Sequence, residues 1–64
     1  MKVYEPVIYA EFYVEDGPVT VSRGTLWTTR EAAEKQLKKE LGELDKYDAE
    51  NVTKTFILEK KVNE

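Results

Sequence analysis

The stretch Trp27-Thr28-Thr29-Arg30-Glu31-Ala32-Ala33-Glu34-Lys35-Gln36-Leu37-Lys38-Lys39-Glu40-Leu41-Gly42 predicts a helix too narrow on its apolar side to be a core by itself. Thr28 and Glu31 have the spacing of a capping box, in which the hydroxyl and the carboxylate each satisfy one free N–H of the first turn. Trp27 precedes the cap, placed to staple against Ala32. Glu31 and Glu34 come early and Lys38 and Lys39 late, the order the helix dipole favours. Glu31/Lys35 and Glu34/Lys38 are spaced as supporting i, i+4 pairs. Gly42 is the expected stop, since it takes a left-handed conformation without steric cost. Ala33, Leu37, Leu41 and Leu44 recur at the helical period, flanked by Gln36 and Glu40. The remaining apolar surface must come from strands.

Residues 3–14 read as a long strand that is largely apolar in both parities, with Glu5 and Glu11 as interruptions. Such strands are central. Pro6 cannot donate to a ladder, so pairing is expected to begin after it or to be bulged there. Glu15-Asp16-Gly17-Pro18 is a turn. A four-residue loop sets Val14 opposite Val19, Phe12 opposite Val21 and Ala10 opposite Arg23 on one face. The other face then holds Tyr13 opposite Thr20, Glu11 opposite Ser22 and Tyr9 opposite Gly24. Val19–Leu26 is the second strand. Gly42–Asn51 is a polar connection in which Leu44 and Tyr47 are candidate lids over the core edge. Val52–Val62 is the third strand, and Asn63-Glu64 a frayed tail. A right-handed crossover through the helix puts the third strand on the free edge of the first. The expected fold is therefore α+β, β-β-α-β, a three-stranded antiparallel sheet of order 2-1-3 with one helix on one face. Residues 1–64 form a single domain in this reading.

One helix leaves one sheet face open. The register above puts Val7, Tyr9, Glu11, Tyr13, Thr20, Ser22, Leu26, Thr55 and Ile57 there. Val7, Tyr9, Glu11, Tyr13, Leu26 and Ile57 are the expected contact residues, because tyrosines among apolar neighbours resemble an interface more than a solvated face. Tyrosine and threonine also simply suit strands. Self-association is the cheapest use of such a face in a chain of 64 residues, whose one core is small.

The composition removes most chemistry. There is no histidine and no cysteine, so the usual proton shuttle, the commonest metal ligand and any disulfide framework are absent. Ser22 and the threonines have no histidine partner and no nucleophile elbow. Glu15/Asp16 and Asp45/Asp48 do not make a calcium-loop series. Gly17, Gly24 and Gly42 are scattered rather than gathered into a phosphate loop. No catalytic residue, metal or cofactor is expected, and the chain is read as a non-enzyme. No apolar run reaches the roughly 20 residues of a membrane span, and the N-terminus lacks the apolar core of a signal peptide. A cytoplasmic protein is the default. The net charge of −3 weighs against a nucleic-acid binder and is too small for a DNA mimic. The alternative function is weak single-strand binding by stacking on Tyr9 and Tyr13, with Arg23, Arg30, Lys54 or Lys60 nearby. Glu11 between the tyrosines opposes it.

The order strand, Asp-Gly turn, strand, then Leu26-Trp27-Thr28-Thr29-Arg30-Glu31-Ala32-Ala33-Glu34 opening a helix, then a last strand, resembles many small bacterial and bacteriophage proteins of unknown function. It is similar in order of elements to some phage-encoded inhibitors, including a dimeric uracil-DNA glycosylase inhibitor. The resemblance implies no catalytic residues. Together with the open face, which points to a homodimer, it leads to the expectation of a small protein-interaction module with a host protein as a further partner and inhibition as the role.

Overall fold

The computed structural model describes residues 1–63; the expectation for Glu64 falls outside them. The elements in order are β1 (Lys2–Ala10), β2 (Val19–Thr20), α1 (Arg30–Glu43), α2 (Lys46–Glu50) and β3 (Val52–Lys61). The sheet is antiparallel in the order β2-β1-β3 with α1 packed on β1, which is the expected α+β architecture. α2 is an addition. The stretch read as a polar connection holds a short helix, capped by the Asp45 carboxylate, which accepts from the Asp48 N–H at 2.8 Å.

The hairpin is shorter than expected. Tyr9 pairs with Thr20 and Ala10 with Val19, so the loop runs through residues 11–18. The shift is four residues, an even number, so the face assignment of Tyr9 and Thr20 survives. Two tertiary contacts hold residues 11 and 12 off the ladder. The Glu11 N–H donates to the Asn51 carbonyl at 2.9 Å, and Phe12 stacks on Tyr47 with ring centroids 5.4 Å apart. A register irregularity between Tyr9 and Ala10 in the β1–β3 ladder marks the departure.

The second strand is also interrupted. After Val21, whose N–H donates to Ile8 O at 2.9 Å, pairing resumes in a single bridge between Tyr4 and Trp27. Two extra residues are absorbed between these points on the second-strand side, where Gly24 takes a φ of +74°. Pro6 explains why this gap is tolerated. The polar groups of Tyr4 and Ile8 point toward the second strand, so the missing N–H of Pro6 falls opposite the interruption and leaves the ladder with β3 intact.

Ile8 and Ala10 are wholly buried and Pro6 nearly so, against 9% for Val3 and 3% for Val7 on the other face, so the face holding Tyr4, Pro6, Ile8 and Ala10 is the deeper one, and we assign to it α1, which packs on β1 with Ala33 wholly buried. Trp27 lies opposite Tyr4 on that face. α1 is capped by Thr29, whose Oγ1 accepts from the Ala32 N–H at 3.2 Å. The expected Thr28–Glu31 box is replaced by this simpler cap one residue on. Gly42 does not stop the helix, which runs to Glu43 with Leu44 as its C-cap. Extension carries glutamates rather than lysines into the last turn, and one of them, Glu43, pairs with Arg23. Glu34 pairs with Arg30 at 3.3 Å instead of Lys38.

Candidate functional site

The ladder between β1 and β3 decides what the open face contains. Val3 lies opposite Lys60, Glu5 opposite Leu58, Val7 opposite Phe56 and Tyr9 opposite Lys54. Directly opposed residues share a face. The face away from α1 therefore displays Val3, Glu5, Val7 and Tyr9 beside Lys54, Phe56, Leu58 and Lys60. Ile57 lies opposite Pro6 and Thr55 opposite Ile8, so both belong to the helix side. The expectation that Ile57 shares a face with Tyr9 is corrected. β3 carries apolar residues in both parities, and the register selects Phe56 and Leu58.

Two further corrections concern Glu11 and Tyr13. Both lie beyond the end of β1 and leave the sheet face. Val7 lies on the face but is 3% exposed, so it forms the floor of the patch and offers no contact area. Tyr9 meets Phe56 edge to face, with centroids 5.4 Å apart, and Lys54 Nζ stands 5.2 Å over the Phe56 ring. Lys60 Nζ donates to Glu5 Oε1 at 2.7 Å, neutralising the one carboxylate on the face. Leu58, 39% exposed, and Leu26, 55% exposed, complete the surface. Leu26 reaches it by strand alternation from Trp27. The result is an aromatic and aliphatic patch rimmed by two lysines.

A second concavity lies at the end of the sheet where β1 stops. Residues 11–18 and α2 border a shallow, open cleft of about 420 Å³, lined by Phe12, Tyr13, Val19, Tyr47, Asp16 and Asp48. Tyr47, expected as a lid over the core edge, instead stacks on Phe12 and lines this cleft. Tyr13 is 61% exposed and stands at its mouth rather than on the sheet.

α1 also carries a buried carboxylate that the reading of its stripe does not place in the core. Glu40, read as a flank of the helix stripe, is 4% exposed. Its Oε1 accepts from the backbone N–H of Arg23 at 2.7 Å, while its Oε2 and the Ser22 hydroxyl are buried with no hydrogen-bond partner. The signal is its spacing: Glu40 follows Ala33, the other buried residue of α1, by seven positions, about two turns along the same face. Among the described residues no group of acidic side chains is arranged to hold a metal ion, and no helix is long and apolar enough to cross a membrane.

No protein-family profile, no curated protein and no solved structure matches this chain.

Proposed function

We propose that this chain is a small non-enzymatic interaction module that associates with itself through the open sheet face, using Tyr9, Leu26, Phe56 and Leu58 over a floor of Val7. One observation carries the reading. β3 buries none of its ten residues, although it holds Phe56, Ile57 and Leu58 in succession. The chain's buried apolar set is small: Val3, Val7, Ile8, Ala10 and Ala33, with Pro6 beside them. Covering the open face would bury more apolar area at about 25 cal/mol per Å², which a domain this small needs. Packing face to face suits the patch better than pairing edge to edge. Lys54, Lys60 and Lys61 along β3 act against edge pairing. As an inhibitor of a host protein, which the resemblance to phage proteins implies, the chain would present the same face, in the cytoplasm.

Light scattering behind a sizing column, over a range of loading concentrations, tests this. The expected result is twice the chain mass, reverting to a single chain for Tyr9→Glu combined with Leu58→Glu. A single-chain mass at every concentration, or a dimer indifferent to both substitutions, overturns the proposal.

A second reading has its own observation: Tyr9 and Phe56 stand together on an open sheet with Lys54 beside them, a surface on which single-stranded bases could stack. Electrophoretic mobility shift with single-stranded DNA at low salt tests it. Binding of this kind must fall steeply as salt rises, and an absence of any shift at low salt removes the reading.

A further inference from the structure

The charge of this chain is divided between two regions. Residues 11–18 and 44–50 hold Glu11, Glu15, Asp16, Asp45, Asp48 and Glu50 against the single base Lys46, a net of −5, while the whole chain carries −3. The rest of the molecule is therefore net positive. Of these carboxylates, Asp16 and Asp48 line the cleft between the 11–18 loop and α2. No lysine or arginine lines that cleft, and Lys46 leans toward Glu50 at 3.9 Å. Among the described residues neither Asp16 nor Asp48 is in an ion pair.

Aromatic surface and unpaired carboxylates in one concavity select a particular ligand. Phe12 and Tyr47 are stacked on each other with an interplanar angle of 14°, so each covers one face of its neighbour, and Tyr47, 58% exposed, keeps free surface at the cleft it lines. Tyr13 and Tyr47 are both large, exposed aromatics at its rim. An aliphatic ligand would leave the carboxylates unused, and an anion would be repelled by them. A planar cation uses both features, since a guanidinium stacks flat on an aromatic ring while its edge N–H groups donate to carboxylates. We propose that this cleft receives an arginine side chain from a basic peptide segment of a partner protein, with Tyr13 and Tyr47 offering ring faces to the guanidinium, Phe12 backing Tyr47, and Asp16 and Asp48 accepting from it. The site shares no residue with the sheet patch and stands independently of self-association.

The test titrates the full-length ¹⁵N-labelled chain with a short acetylated, amidated glycine–arginine peptide and with the same peptide carrying citrulline, the uncharged isostere of arginine. Saturable amide shifts are expected at Tyr13, Asp16, Gly17, Tyr47 and Asp48, about tenfold weaker in apparent affinity for the citrulline peptide. Asp16→Asn combined with Asp48→Asn, which leaves the Asp45 cap of α2 in place, is expected to weaken the arginine peptide by roughly the same factor. Shifts that fail to saturate, that centre on the sheet face, or that are equal for arginine and citrulline overturn the proposal. The citrulline comparison needs no substitution, so a misfolded variant would not blunt the test.

Discussion

A carboxylate on α1 closes the gap that the interrupted second strand leaves: Glu40 Oε1 accepts from the Arg23 backbone N–H at 2.7 Å. The Arg23 side chain reaches Glu43 one turn further along the same helix. The irregular segment after β2 is thus bound to the helix by both its backbone and its side chain. Glu40→Ala removes the acceptor of a part-buried hydrogen bond, a loss of about 1 kcal/mol. Glu40→Gln keeps an acceptor and removes the buried charge, so it is expected to lose less than half as much. Urea denaturation of the two variants measures the difference, and equal losses would mean that this hydrogen bond contributes nothing net.

The helix cap separates two adjacent threonines. Thr29 accepts from the Ala32 N–H, and among the described residues Thr28 caps no N–H. Thr29→Ala should cost about 1 kcal/mol. Thr28→Ala, at an exposed position, should stay within about 0.5 kcal/mol. Thermal melts of the pair read this directly, and the reverse order would move the cap back by one residue.

Gly42 lies inside α1 with no positive φ, and a Cβ built there meets nothing within 4 Å. Its freedom is a cost without a matching use. Gly42→Ala should stabilise the fold by about 0.5–1 kcal/mol. A lower denaturation midpoint in the alanine variant would show that the helix ends at Gly42 after all.

Phe12 holds the 11–18 loop to α2 through Tyr47. Phe12→Ala removes a stacked pair worth about 0.5–1.5 kcal/mol beyond its area. The Glu11 N–H, bonded to Asn51 O, should then exchange with solvent faster, while the amides of β1 keep their protection. Hydrogen exchange followed by NMR resolves the two, and uniform acceleration along β1 would count against a local role.

Strand order, helix position and the parity of β1 were legible because β1 is apolar in both parities and the helix follows the second strand directly. The limits of the strands were not. The apolar pattern of Phe12, Tyr13 and Val14 reads as strand, yet Phe12 is drawn to Tyr47, some 35 positions away, and Val14 is left exposed. Tertiary stacking overrode local propensity there. The face of β3 was equally hidden, because Phe56 and Leu58 on one side and Ile57 on the other are comparable in hydrophobicity. Only the pairing with β1 chooses between them. The candidate contact surface inherits that ambiguity: the apolar pattern puts Val7, Tyr9 and Leu26 on the face where they lie, puts Ile57 on the wrong side, carries Glu11 and Tyr13 past the end of β1, and leaves Phe56 and Leu58 unmarked. Thr28 and Thr29 offer nearly the same chemistry at adjacent positions, so the cap could not be fixed from the letters.

β1 is paired along its length with β3 and only over Val19–Thr20 with β2. The central strand therefore waits for a partner some fifty positions downstream, and the hairpin beside it is too brief to hold it meanwhile. Long-range closure of this kind slows folding relative to local contacts. A chain leaving the ribosome can form α1 early but cannot assemble its sheet until β3 emerges. Until then the apolar run from Val7 to Ala10 stays uncovered, and the interval before closure is when aggregation is most accessible to this molecule.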